Sequence, residues 1–293
     1  MPNPALAGNY ADPNIVRFGD SYYIYGTTDG FPGWSGTFFE VWSSKDLVDW
    51  TNLGLILDVR SDVTWADGRA WAPAAVEWDG RYFFYFTADQ CIGVAVSDSP
   101  TGPFADALGH PLVDKADYGG EQQIDPALFV DDDGRAYLYW GNMTPRVVPL
   151  REDMVGYDPA DVRELDGLEG FREAPFVIRH HDTYHLTWSI DDTRSPDYRV
   201  GYATGPSPYG PWSYRGLLLE KDLAQGIVGT GHHSIIQART GDWYIAYQRH
   251  AIPGGDGTHR ETAIDRLAFG EDGVLRPVIP TLEGVVPLPR MRA

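Results

Sequence analysis

An all-β chain folded as a five-bladed β-propeller is what this sequence predicts, and three observations carry the prediction. A turn marked by glycine or aspartate is followed five times by an aromatic-rich alternating strand. The copies are Gly19-Asp20-Ser21-Tyr22-Tyr23-Ile24-Tyr25, Asp79-Gly80-Arg81-Tyr82-Phe83-Phe84-Tyr85, Asp133-Gly134-Arg135-Ala136-Tyr137-Leu138-Tyr139, His181-Asp182-Thr183-Tyr184-His185-Leu186-Thr187 and Thr240-Gly241-Asp242-Trp243-Tyr244-Ile245-Ala246. They recur at roughly 48 to 60 residues, a period that in a strand-rich chain means blades. Ahead of each lies a less polar segment, and in four of the five it opens on a proline: Ala11-Asp12-Pro13, Trp71-Ala72-Pro73, Ile124-Asp125-Pro126 and Glu173-Ala174-Pro175, with Gly231-His232-His233-Ser234 in the fifth place. Finally, no long window holds a 3.6-residue apolar period, while 33 glycines and 22 prolines punctuate the chain.

Each element follows in turn. The prolines mark the first residue of an inner strand, where a missing ladder donor and a fixed φ are tolerated. The aromatic strands come second in each blade. A third strand is visible at Val41-Trp42-Ser43-Ser44-Lys45-Asp46-Leu47, Val94-Ala95-Val96-Ser97-Asp98-Ser99-Pro100 and Val200-Gly201-Tyr202-Ala203-Thr204-Gly205-Pro206, and a fourth is expected at the outer edge. Leu150 to Gly170 reads as a long loop or outer-edge excursion between the third and fourth blades. Gly254-Gly255-Asp256-Gly257 reads as a flexible loop near the mouth. Either Val278 to Pro287 or the segment before Asp12 supplies the last strand of the closing blade. Residues 1–293 are expected to form one domain, the usual length prior notwithstanding.

Composition narrows the function. The formal net charge of −19, from 42 acidic and 23 basic residues, argues against nucleic acid and anionic membranes as partners. The acidity reads first as a solvated rim. Ten tryptophans, 17 tyrosines and 12 phenylalanines fill a core and leave rings for a sugar-binding cleft. The single Cys91 permits no intrachain disulfide, and beside Ile92 and Val94 it reads as a buried, inert thiol. Met1-Pro2-Asn3-Pro4 carries no basic or apolar leader, and no stretch approaches a membrane span, so a soluble cytoplasmic chain is expected, or a secreted one if a leader has been removed. Oligomeric state leaves no sequence signal.

The inner strand of each blade lines the channel, so Asp12, Asp125 and Glu173 are expected to converge. Each alone reads as a turn opener, since Asp before Pro is common there. At the same point of three repeat units, they read as catalytic. One carboxyl group kept protonated can donate to a leaving glycosidic oxygen while another deprotonates water. A third acid nearby can raise the pKa of the donor. No nucleotide loop, zinc spacing or nucleophile elbow is present, and no organic cofactor is implied.

In the order and spacing of Asn3-Pro4, Ala11-Asp12-Pro13, Trp71-Ala72-Pro73, Ile124-Asp125-Pro126, Glu173-Ala174-Pro175, Gly231-His232-His233-Ser234 and Arg260-Glu261-Thr262, the chain resembles glycoside hydrolase family 43 from Asn3 to about Pro280. The resemblance implies a five-bladed propeller hydrolysing glycosides with inversion, with Asp12 as general base, Glu173 as general acid and Asp125 orienting Glu173 and raising its pKa. Inversion calls for carboxyl groups roughly 6.5–9.5 Å apart. The family usually has glycine where this chain has Ala174. His232 matches a residue on the axis that stands near a water-bound calcium or a water cluster, and it reads equally as a hydrogen-bonding histidine. Arg260 matches an arginine that reaches the sugar, its alternative being a salt bridge to Glu261 or Asp265. Trp71, Phe31, Trp34 and His233 complete the expected substrate site, with core packing as the alternative for the aromatics. The implied partner is a pentose-containing oligosaccharide. The implied activity is exo-acting removal of α-L-arabinofuranose from arabinan or arabinoxylan fragments, ahead of a β-xylosidase, an endo-arabinanase or a propeller that only binds sugar.

Overall fold

The computed structural model describes residues 2–289. Nineteen strands form five small antiparallel sheets arranged in a ring. The first blade holds β1 (Tyr10–Phe18), β2 (Ser21–Thr28), β3 (Phe38–Ser44) and β4 (Thr51–Asp58). The second holds β5 (Trp71–Trp78), β6 (Arg81–Ala88), β7 (Cys91–Ser97) and β8 (Ala105–Asp106). The third holds β9 (Ala127–Val130), β10 (Ala136–Trp140), β11 (Arg146–Pro149) and β12 (Arg163–Glu164). The fourth holds β13 (Phe171–His180), β14 (Thr183–Ile190), β15 (Arg199–Gly205) and β16 (Ser213–Leu219), and the fifth β17 (Gly231–Gln237), β18 (Trp243–His250) and β19 (Arg260–Leu267). The only α-helix among the described residues is the four-residue Val59–Asp62. No helix among the described residues is long and apolar enough to cross a membrane.

The aromatic strands are buried on both faces because each is sandwiched between neighbouring blades, and successive side chains point to opposite faces. Tyr25 packs with Phe84 of the second blade, whereas Ile24 packs with Ala246 of the fifth. Tyr85 meets Leu138, Tyr139 meets Leu186, and Tyr202 meets Tyr247. One apolar cluster therefore fills each of the five blade interfaces. Each fully buried large side chain contributes about 1.5–3 kcal/mol.

The excursion from Leu150 to Gly170 does run along an outer edge: its residues Arg163–Glu164 pair with β11. At the ring closure, the segment before Asp12 takes the outer edge of the fifth sheet. Ala5 N–H donates to Thr262 O at 2.8 Å, and Asn3 Oδ1 accepts from Ile264 N–H at 2.9 Å. The C-terminal run straps the neighbours together, since Val278 bridges Leu219 of the fourth blade and Leu288 N–H donates to Asp46 O of the first. Cys91 is buried as expected, with burial pushing its thiol pKa up.

Candidate active site

The inner strands share a device that the site depends on. One residue per blade, immediately before Pro13, Pro73, Pro126, Pro175 or His233, has a left-handed backbone: Asp12 (φ 51), Ala72 (φ 44), Asp125 (φ 61), Ala174 (φ 56) and His232 (φ 33). In the first, second, fourth and fifth blades the ladder register shifts at this point, as in a β-bulge. Bulges re-aim side chains, and left-handed non-glycine residues persist only where the surroundings hold them. The holding groups come mostly from the second strand of the preceding blade. Ala72 N–H donates to Thr27 Oγ1 (2.7 Å), Asp125 N–H to Thr87 Oγ1 (3.2 Å), His232 N–H to Ser189 Oγ (2.9 Å) and Asp12 N–H to Gln248 Oε1 (3.2 Å). The third blade has Gly141 at this place, and the Ala174 N–H bonds to the Asp125 carboxylate instead.

Glu173 is therefore not at the point of the repeat that Asp12 and Asp125 occupy. It stands one residue earlier, level with Trp71, while the bulge position of its blade is Ala174. Asp12, Asp125 and His232 face the axis. Glu173 and Trp71 also line the pocket above, and the left-handed residue that follows each of them turns the chain. Glycine is the residue best suited to φ 56, which gives the physical reason for the family's usual glycine where this chain has Ala174.

The pocket has a volume of about 380 Å³ and is lined by Asp12, Asp125, Glu173, Trp71, Trp34 and Arg260, among others. His232 also reaches it. Its Nδ1 lies 3.2 Å from Asp12 Oδ1 and 3.6 Å from Asp125 Oδ2. Two expected residues do not belong to it. Phe31 packs edge-on against Phe38, with centroids 6.3 Å apart, because its loop turns the ring toward β3. His233 alternates to the other side of β17, where its Nε2 lies 2.6 Å from Thr187 Oγ1 beside a narrow axial channel of about 10 Å³. Trp34 and Trp71 are wall residues held by their indoles: Trp71 Nε1 donates to Trp34 O (2.8 Å) and Trp34 Nε1 to Gly257 O (2.6 Å).

Arg260 makes neither of the salt bridges that were the alternative to its reaching the sugar. Glu261 pairs with Arg249 (2.8 Å), and Asp265 accepts from Tyr247 (2.7 Å) and Thr281. Arg260 points inward, with Nη1 3.1 Å from Asp12 Oδ1 and Nε 2.8 Å from Asp29 Oδ2. Burial alone would raise the pKa of Asp12, but the Arg260 guanidinium, His232, the Thr27 hydroxyl and the Ala72 N–H together hold it below the ordinary value. His232 itself is pushed toward its neutral form by burial. The guanidinium is thus the fixed charge that keeps Asp12 ionised.

Glu173 meets a different environment. Tyr198 O–H donates to Oε1 and Asn142 Nδ2 to Oε2, both at 2.9 Å, while the nearest cation, Arg172 Nε, is 3.7 Å away. Burial raises its pKa to about 7, opposed by Arg172 and Tyr198 and assisted by Asp12 and Asp192. Asp125 is pushed well up by burial, then by the charges of Glu173 and Asp12. The expected effect of Asp125 on Glu173 is not what raises the glutamate, whose carboxylate neighbours in that sense are Asp12 and Asp192; the influence runs from Glu173 to Asp125, whose buried Oδ2 has no hydrogen-bond partner among the described residues.

Sequence reasoning missed Asp29, Asn142, Tyr198 and Gln248. Gln248, Thr27, Thr87 and Ser189 share one place in the repeat, so aligning the ends of the second strands would have found them. Tyr198 lies in a connection outside the repeat. Its signal is Gly231, where a Cβ would stand 2.3 Å from the tyrosine ring. No group of three or more His, Cys, Asp or Glu among the described residues is arranged to hold a metal ion. A calcium ion at His232 would take its shell from water.

The family model for glycosyl hydrolases family 43 matches residues 1–275. A β-D-galactofuranosidase of Aspergillus niger is 38% identical, the match covering 97% of this chain and 86% of the relative. A xylosidase/arabinosidase of Humicola insolens is 30% identical over 92% of this chain and 97% of its own. Among solved structures, a thermostable family-43 glycoside hydrolase superimposes with a TM-score of 0.86 at 29% identity, covering 100% of this chain and 99% of that one. A propeller whose axis gathers these carboxyl groups, matched by the family over nearly its whole length, has one reading: the chain belongs to glycoside hydrolase family 43.

Proposed function

We propose that this glycosidase is an exo-acting, inverting furanosidase that removes terminal α-L-arabinofuranosyl residues from arabinan or arabinoxylan oligosaccharides. The observation that carries the reading is the contrast between two buried carboxyl groups of one pocket, Asp12 with the Arg260 guanidinium at 3.1 Å and Glu173 with the neutral Tyr198 and Asn142. Asp12 is held ionised by Arg260, and Glu173 is held protonated up to about pH 7 by burial. Asp12 takes a proton from a water molecule whose oxygen bonds to the anomeric carbon. As the bond from that carbon to the glycosidic oxygen breaks, Glu173 gives its proton to the departing oxygen. Both carboxyl groups then exchange protons with solvent. Asn142 and Tyr198 fix the Glu173 carboxyl. The wall where Trp34 is tied to Gly257 closes one side of the pocket and favours a chain end over a chain interior.

A β-D-galactofuranoside is a second reading, favoured by the 38% identical galactofuranosidase. The two furanoses share ring configuration and differ in the length of the C4 substituent, a difference that a pocket discriminates by roughly 1–3 kcal/mol per added group. The xyloside remains a third substrate to compare. The test is release of 4-nitrophenol from the α-L-arabinofuranoside, β-D-galactofuranoside and β-D-xyloside by wild type and Asp12→Ala. The arabinofuranoside should be turned over best, and the variant should lose about 10³-fold or more on every substrate. Faster turnover of the xyloside would overturn the furanosidase reading.

A further inference from the structure

The outer wall of the pocket carries a charge opposite to that of the chain as a whole. Arg172 Nη2 lies 3.2 Å from Asp192 Oδ2, and Arg194 Nε and Nη2 lie 2.6 and 2.8 Å from the two oxygens of the same carboxylate. Two guanidinium groups thus share the Asp192 carboxylate, and Arg172 Nε also faces Glu173 Oε2 at 3.7 Å. The buried Nε of Arg172 has no hydrogen-bond partner among the described residues. Arg69, an exposed residue at the rim, makes no hydrogen bond, ion pair or ring contact with any described residue. Its placement is nonetheless fixed. Its backbone is left-handed (φ 53), and it sits between two tethers, Gly68 O accepting from Asp89 N–H (3.0 Å) and Ala70 N–H donating to Gly36 O (2.9 Å). Arg260 is already neutralised by Asp12 and Asp29. Arg69, Arg172 and Arg194 against Asp192 leave two positive charges at the rim, while deeper in the pocket Asp12 and Asp29 exceed Arg260 by one negative charge, on a chain of net charge −19.

Two of these groups, Arg172 and Arg69, lie where the leaving group must pass, whereas Arg194 lies over the Trp34 ring, 5.9 Å from its centroid. The proton donor, Glu173, faces the departing oxygen, and Arg172 and Asn142 adjoin it. From there the lining continues through Gln122 and Gln90 to Arg69, on the side of the second and third blades. Trp34 and Gly257 block the other side. We infer that the aglycone end of this pocket takes a carboxylate, carried by a hexuronate residue on the oligosaccharide from which the furanose is removed. The inference rests on the function proposed above and specifies its substrate class. Arg69 supplies an unshared charge, and the partly exposed Arg172 side chain adds a second guanidinium. Arginine suits a carboxylate because its planar fork matches the two oxygens.

The test compares an arabinofuranosylated oligosaccharide that bears one hexuronate with the same compound after carboxyl reduction, which removes the charge and keeps the shape. At about 10 mM salt the charged form should show a kcat/KM about tenfold higher, and the ratio should fall toward one at about 0.5 M as screening sets in. In Arg69→Gln the ratio at low salt should drop to about two or less, whatever the variant does to the neutral form. A ratio of one in wild type, a ratio indifferent to salt, or one retained in Arg69→Gln overturns the inference. So does cleavage of 4-nitrophenyl α-L-arabinofuranoside with neither oligosaccharide cleaved. If the aryl glycoside also resists, the proposed function itself fails.

Discussion

Asp12 in the first blade and Glu173 in the fourth line the same pocket and are comparably removed from water, 5% and 8% exposed, yet their surroundings drive them to opposite charge states. Burial therefore does not decide between them. The neighbours do: Asp12 has a guanidinium at 3.1 Å and a hydroxyl at 2.6 Å, whereas Glu173 has a neutral amide and a phenol, with its nearest cation at 3.7 Å. One well-placed cation outweighs desolvation, and neutral donors do not. The lesson is that this pocket sets two buried carboxyl groups apart by where it places its arginines, the division that the proposed mechanism uses.

Removing the cation should break the contrast most severely. In Arg260→Met, Asp12 loses the charge that opposes burial, so its pKa rises and it is protonated over more of the working range. We expect kcat/KM to fall by about 10²-fold or more, with the acid limb of its pH profile moved upward. An unmoved acid limb would assign the ionisation of Asp12 to another group.

A smaller change sharpens the other half. Tyr198→Phe removes a hydrogen bond that favours the ionised form of Glu173. The proton is then held more tightly. Because activity needs Glu173 protonated, the basic limb near pH 7 should move to higher pH, with less than about a tenfold change in kcat/KM at the optimum. A limb that moves down would show that Tyr198 stabilises the protonated form.

The smallest effect is expected at Phe31, which packs on Phe38 outside the pocket. Phe31→Ala should change kcat/KM by about twofold or less, whereas Trp71→Ala, in the pocket wall, should cost tenfold or more. Equal losses would place Phe31 against the sugar in the bound state.

Much of this was readable from the sequence, for an identifiable reason. The repeat exposes the blades because every blade solves the same packing problem. The aligned prolines mark the inner strands, although Pro13, Pro73 and Pro175 lie inside β1, β5 and β13 at the register shift rather than at the first residue, because a bulge also accepts a missing ladder donor. The one-residue offset of Glu173 was readable, since Asp12 and Asp125 directly precede their prolines and Glu173 stands two residues before Pro175, but its structural cause was not. The offset follows from left-handed backbone at Ala174, a conformation that an alanine in the sequence does not announce. The partners of the acids were hidden for a related reason. Asp29, Asn142 and Tyr198 come from three different blades, and their contacts are set by the closing of the ring rather than by spacing along the chain. Phe31 and Trp34 look alike in sequence, and only the contact of Trp34 with Gly257, more than two hundred residues away, separates wall from packing.

The most direct test of the division between base and acid is Glu173→Ala assayed with two leaving groups. An oligosaccharide alkoxide needs the proton that Glu173 supplies, whereas 4-nitrophenolate departs without one. The account predicts a loss of about 10³-fold or more on an arabino-oligosaccharide and only a small loss on 4-nitrophenyl α-L-arabinofuranoside, with the basic limb of the wild-type pH profile absent from the variant. Equal losses on both substrates, with the basic limb retained, would contradict Glu173 as the proton donor.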